Sequence, residues 1–124
     1  MTKIKLFDSE LKLMELLWSS GSITAKELSL LASEKIGWNK NTTYTIIKKL
    51  IDKNAIKREE PNFICTALVK KEQVQFEETK ELIDKLFGGS VKTLFASFLA
   101  KEKLSGSEIA ELRQMIDSYD KNEE

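Results

Sequence analysis

A mainly α fold with one small β-hairpin is what this sequence predicts, and three observations predict it. Apolar residues recur at spacings of three and four along most of the chain, the period of amphipathic helices. Two Ser/Thr-x-x-Glu patterns, Thr24 to Glu27 and Ser105 to Glu108, are capping boxes that mark helix starts. A single pair of short β-prone runs, Ala55–Arg58 and Phe63–Leu68, flanks the turn Glu59-Glu60-Pro61-Asn62.

The elements follow in order. Asp8 is a good N-cap for a first helix carrying Leu11, Met14, Leu17 and Trp18 on one stripe. Ser19-Ser20-Gly21 ends it, because glycine takes the left-handed exit that other residues resist. The Thr24 capping box opens a second helix with Leu28, Leu31, Ala32 and Ile36 inward, closed by Gly37. Asn39 then caps a third helix from Lys40 to about Lys53. Its inner stripe is Thr43, Ile46, Ile47, Leu50 and Ile51. The opposite face carries Asn41, Thr42, Thr45, Lys48, Lys49 and Asp52, with Tyr44 on the flank. Asn54 is a left-handed stop before the hairpin.

A long charged helix spans Lys70 to Phe87 and breaks at Gly88-Gly89. Ser90 caps the next, which aligns Val91, Leu94, Phe95, Phe98 and Leu99. The Ser105 capping box opens a last helix with Ile109, Leu112, Ile116 and Tyr119. Three helices and a hairpin within about 70 residues are the order of a winged helix-turn-helix, whose third helix enters the DNA major groove. The chain therefore divides into a winged-helix DNA-binding domain at 1–70, with the hairpin as its wing, and a three-helix C-terminal arm at 71–124, read below as a dimerisation domain.

Composition excludes most chemistry. The 124 residues include no histidine and one cysteine, Cys65. Ser-His-Asp and Cys-His catalysis, the common zinc sites and an internal disulfide are all ruled out. No catalytic constellation is present, so the chain reads as a non-enzyme that takes no metal or other cofactor. Met1-Thr2-Lys3 leads into no signal-peptide core and no apolar run spans a bilayer, which predicts a cytoplasmic protein without membrane insertion. Cys65, set in an apolar run, reads as a small buried hydrophobe. Trp18 and Trp38 read as core and flank aromatics.

The formal charge of zero hides an asymmetry. Up to Lys70 there are twelve basic residues against eight acidic ones, a net of +4, and from Lys71 onward eight against twelve, a net of −4. Between Trp38 and Arg58 stand six bases and one acid, Asp52. A basic half joined to an acidic half suggests a polyanion-binding module plus something else. Asn41, Thr42 and Thr45 are short, polar and near the N-terminus of the third helix, as groove-reading residues must be. Lys48 and Lys49 stand behind them to reach phosphates, which position a protein without specifying sequence. Lys40 and Arg58 complete the candidate DNA-binding set. Tyr44 serves either the core edge or a sugar or thymine methyl.

The segments "LFDSELKLMELLW", "SITAKEL", "WNKNTTYTIIKKLIDKNAI" and "LFASFLAKEKLSGSEIAELRQMI" stand in the order and near the spacing of one known family. Over nearly its whole length the sequence resembles the penicillinase-repressor (BlaI/MecI/CopY) family of bacterial transcriptional repressors. The resemblance implies a first helix, a small strand with the second helix, a recognition helix and a dimerisation arm, in that order. It also implies a homodimer on an inverted-repeat double-stranded DNA operator, controlling a β-lactamase or related resistance operon. The chain departs from the family in three places. It lacks the Cys-x-Cys pairs of the copper-sensing branch, which points to the antibiotic-resistance branch. Its wing is about two residues shorter, with Pro61-Asn62 where a Gly-Arg tip is expected, which counts against a wing contact. Where the resistance branch is cleaved at an Asn-Phe bond, through a membrane sensor-protease pathway, this chain has Ser97-Phe98.

The arm carries an energetic argument of its own. About fifty residues in three thin helices cannot enclose a core. Yet Phe95, Phe98, Leu99, Leu104, Ile109, Leu112 and Ile116, with Leu94 beside them, would be exposed to water. Burying seven such side chains at roughly 1.5–3 kcal/mol each is worth on the order of 10–20 kcal/mol before ordering costs. A second copy of the arm is the simplest cover. The competing reading is a winged-helix protein–protein adaptor without sequence-specific DNA binding.

Overall fold

The computed structural model describes residues 4–123, with side chains to Asp120. Met1-Thr2-Lys3, at the start of the expected leaderless N-terminus, lie outside the described residues. Helix α1 spans Asp8–Ser20, α2 Ala25–Lys35 and α3 Lys40–Asp52, with the two-residue strand β1, Ile23–Thr24, before α2. Strands β2, Ile56–Glu59, and β3, Ile64–Ala67, follow. Helices α4, Lys71–Phe87, α5, Val91–Lys101, and α6, Gly106–Glu123, complete the chain. It forms two compact units, which divide after Thr79 inside α4. The expected boundary was residue 70. Val74, one turn into α4, is buried in the core of the first unit, so that unit needs the start of this helix.

In the first unit the local signals act as expected, with two shifts: the cap of α1 moves, and α2 buries Ala25, Leu28, Ser29 and Ala32 while Leu31 and Ile36 stay half-buried. Asp8 is the first helical residue of α1, and Phe7 stands at the N-cap. The Glu10 carboxylate takes the Phe7 backbone N–H at 2.8 Å. The buried stripe of α1 is Glu10, Leu13, Met14 and Leu17, while Leu11 and Trp18 lie at the core edge. The indole N–H of Trp18 donates to the Val69 carbonyl at 2.9 Å and ties α1 to the chain leaving the hairpin.

The capping box of α2 is complete. Glu27 N–H donates to Thr24 Oγ1, and Thr24 N–H donates to Glu27 Oε1, each at 3.1 Å. The Thr24 N–H and the Thr24 hydroxyl, both donating to Glu27 Oε1, hold the Glu27 carboxyl below its usual value. Gly37, at φ +87°, reverses the chain after α2, and its N–H donates to the Ala32 carbonyl at 2.9 Å. Asn39 caps α3 by accepting from Thr42 N–H at 2.8 Å. Thr43, Ile46, Ile47 and Leu50 turn inward. Thr43 fits this apolar stripe because its hydroxyl donates to the Asn39 carbonyl. Asn54, at φ +64°, ends the helix in the left-handed region.

The three strands form one antiparallel sheet in the order β1-β3-β2. Arg58 lies opposite Cys65 across β2 and β3, and Thr24 opposite Ile64 across β1 and β3. The core is built from Leu13, Met14 and Leu17 of α1, Leu28 and Ala32 of α2, Ile46, Ile47 and Leu50 of α3, and Ile56 and Cys65 of the sheet. It pins the inner face of α3 and leaves the outer face to solvent.

In the second unit, Ser90 caps α5 by accepting from Thr93 N–H at 3.0 Å. The Ser105–Glu108 capping box of α6 has both its bonds, at 3.1 and 3.2 Å. No residue of α5 is buried within the single chain.

Candidate nucleic-acid interface

Helix α3 is held by its back. With Thr43, Ile46, Ile47 and Leu50 fixed in the core, a period of 3.6 residues turns the other side outward. Asn41, Thr42, Thr45, Lys48 and Lys49 are all exposed and share one face at about 100° per residue. The Thr45 hydroxyl donates to the Asn41 carbonyl at 2.9 Å, which leaves its oxygen lone pairs outward as acceptors. Lys40, the first residue of the helix, is exposed beside this face, with its ammonium 5.7 Å from the centre of the Tyr44 ring. The face combines short polar groups at the helix start with cations further along. That arrangement suits a groove whose floor presents donors and acceptors and whose walls carry phosphates.

Tyr44 is half-buried at the core edge, where its ring meets that of Phe63 edge to face, with centroids 6.0 Å apart. Arg58 is exposed on β2, beside Phe63, the ring that meets Tyr44. Its guanidinium lies 3.8 Å over the Phe63 ring and its Nε is paired with the Glu60 carboxylate. The structure thus links Lys40, Tyr44 and Arg58 through the Phe63 ring, while Asn41, Thr42, Thr45, Lys48 and Lys49 share the exposed face of α3.

Charge counting overstates the cations of this region that face solvent. Lys53 turns inward. Its ammonium meets the buried Glu10 carboxylate at 2.5 Å, donates to the Lys5 carbonyl at 2.7 Å and sits 4.3 Å over the Phe7 ring. Lys57 is paired with Glu59 at 3.8 Å. Sequence reasoning missed Lys53, Glu10 and Phe63. Only the Glu at the third helical position hinted at the first pair, and nothing local marks Phe63. Cys65 is fully buried, and burial pushes its thiol up to about 11. It is a packing residue. Among the described residues no cluster of histidine, cysteine or carboxylate could hold a metal ion, and no helix is long and apolar enough to cross a membrane.

In the second unit, Phe95, Leu99, Leu104, Ile109, Leu112 and Ile116 line a groove of about 650 Å³ between α5 and α6. Phe98 is 55% exposed and Ile116 62%. Leu94 and Leu112 are half-buried. Ser97 and Phe98 both lie inside helical α5, on its exposed surface.

Three helices with a tight turn between the second and third, and a hairpin beside the third, define a winged helix-turn-helix protein. The chain belongs to the penicillinase repressor family, whose model matches residues 6–118. That is a family of transcriptional repressors and not of enzymes. The chain is 26% identical over 121 residues to the penicillinase repressor of Staphylococcus aureus, covering 96% of each chain. It is 28% identical over 110 residues to the methicillin resistance regulatory protein MecI of Staphylococcus epidermidis, covering 87% of this chain and 89% of the other. Among solved structures it is similar to the DNA-binding domain of the repressor BlaI, with a TM-score of 0.52 and 28% identity over 57% of this chain and 90% of that one. It is also similar to monomeric Bacillus licheniformis BlaI in complex with the blaP half-operator, with a TM-score of 0.51 and 29% identity over 58% and 92% of the two chains.

Proposed function

We propose that this protein is a homodimeric repressor that binds an inverted-repeat operator, one α3 helix to each half-site, and controls a β-lactamase or related resistance operon. The observation that carries the reading is the outer face of α3. Its back is locked in the core, its start is polar and exposed, and Lys48 and Lys49 flank it. The half-operator complex of B. licheniformis BlaI supports the same use of the matching domain. Asn41, Thr42 and Thr45 read base edges, while Lys40, Lys48, Lys49 and Arg58 reach phosphates. Tyr44 supports the helix from the core edge.

The DNA-binding part, residues 1–70, extends into the first turn of α4 through Val74, and the remainder of 71–124 supplies the dimer contact. The exposed apolar groove between α5 and α6 supports that assignment, since a second copy covers it. Relief of repression by cleavage at Ser97-Phe98, through a membrane sensor-protease pathway, completes the proposal. The protein works in the cytoplasm.

The test is titration of the full chain against an inverted-repeat operator duplex and a scrambled duplex at several salt concentrations. Specific binding is expected to exceed the scrambled duplex by about 10³-fold or more. Affinity should fall by about 0.9 log units per log unit of salt for each phosphate contact. Equal, salt-insensitive affinity for both duplexes would overturn the reading.

A further inference from the structure

We propose that Phe63 is the positioning residue of the wing, holding the Arg58 guanidinium flat beside α3 so that it is presented to a DNA phosphate. The proposal rests on the operator-binding reading above and names how the wing takes part in it. Four side chains form one column across the domain. The Lys40 ammonium lies against Tyr44, the Tyr44 ring meets Phe63 edge to face, and the Arg58 guanidinium lies over Phe63. Lys40 and Arg58, the two ends of the column, are exposed, while the two rings between them are half-buried. A guanidinium stacked on a ring gives up rotamer freedom before it meets a partner, and an arginine already aligned loses less on binding phosphate.

Phe63 reaches this place at a conformational cost. It sits at φ +53°, the left-handed region, which is a genuine outlier for a bulky residue. Its carbonyl accepts from the Ala25 N–H at the start of α2, and its own N–H donates to Glu60. The backbone is therefore fixed from both sides, and the ring is delivered between α3 and the wing. Strained positions that the surroundings over-determine cluster where geometry serves function.

The wing needs such a device because its charges cancel. Lys57 is paired with Glu59, and Arg58 Nε with Glu60. The tip, Pro61-Asn62, carries no cation. A phosphate must compete with Glu60 for Arg58, and a guanidinium held on the ring keeps its remaining donors in place while it does so. Substitutions at Phe63 and Glu60 consequently have opposite signs. Loss of the ring weakens DNA binding, and loss of the Glu60 charge strengthens it.

The experiment uses the full chain and a mixed-sequence DNA duplex, since phosphate contacts do not depend on sequence. F63L keeps the apolar volume and removes the ring. It is expected to lower affinity roughly 3- to 10-fold and to reduce the salt slope by about one for each bound half. F63Y should restore both, and E60Q should tighten binding. F63L in an R58A background should add nothing further. In the free protein, the side-chain protons of Arg58 should move upfield in the wild type and return in F63L, because they lie over the ring. An unmoved salt slope in F63L on a wild type that binds, or Arg58 protons without a ring shift, would overturn the proposal. A wild type with no salt-sensitive affinity would overturn it together with the operator reading.

Discussion

Glu10 and Lys53 show how far a residue can depart from what its type and neighbourhood suggest. In the sequence Lys53 is one of six cations in a basic run, and Glu10 is a surface residue on an amphipathic helix. In the fold they close on each other, and together with the Phe7 N–H and the Lys5 carbonyl they clasp the N-terminal segment to the end of α3. The two partners are not equivalent, since the Glu10 side chain is 2% exposed and that of Lys53 is 28% exposed. Removing the lysine leaves a buried carboxylate without its cation, whereas removing the carboxylate leaves an ammonium that can reach water. Lys53→Met is therefore expected to cost about 2–4 kcal/mol, below the full penalty of a wholly buried pair. Glu10→Gln should cost about 1 kcal/mol. Urea unfolding midpoints of the two variants check the order, and a reversed order would show that the buried carboxylate is satisfied by other means.

Among the elements, helices were legible in the sequence wherever a cap and a stripe agreed. Thr24 with Glu27, Asn39 and Ser105 with Glu108 each mark a start that the structure keeps. Asp8 misled by one residue, because Glu10 caps the Phe7 N–H from within the helix and draws the chain one step earlier into the turn. Packing, separately, turns Leu13 rather than Leu11 to the buried stripe. The outer face of α3 was legible because amphipathicity fixes both sides of a helix at once. The Phe63 column was not, since it joins residues of α3, β2 and the turn through a left-handed backbone that no local pattern encodes. The face itself yields a prediction. Thr42→Ala and Thr45→Ala are expected to relax discrimination between operator and altered sequences by about 1–3 kcal/mol at single base positions. Lys49→Ala should weaken all duplexes alike and lower the salt slope by about one. Binding across a panel of single-base operator variants separates the two effects, and uniform loss from all three changes would mean that the threonines read no base.

For the whole molecule, a dimer closed over the exposed apolar face of α5 and α6, as proposed above, would couple assembly to the survival of the Ser97-Phe98 bond. A peptide bond inside a helix does not fit a protease cleft until that helix unwinds locally. Helix α5 has only 11 residues, a length that is marginal on its own in water, and none of its side chains is buried within one chain. Unwinding is thus cheap in a lone chain and expensive in a dimer that buries Phe98 and Leu99 at roughly 1.5–3 kcal/mol each. Cleavage should then proceed through the monomer. A protease that cuts on the N-terminal side of large apolar residues is expected to cut before Phe98 faster as the protein is diluted. Ile116→Asp, which places a charge on the 62%-exposed end of the groove, should sediment as a monomer and be cut at the fast rate at every concentration. Each cut would remove Ile109, Leu112 and Ile116 from one chain and with them the proposed link between two half-sites, so operator affinity should fall towards that of a single winged helix. A cutting rate independent of concentration in the wild type, or an Ile116→Asp protein that remains dimeric, would refute the coupling.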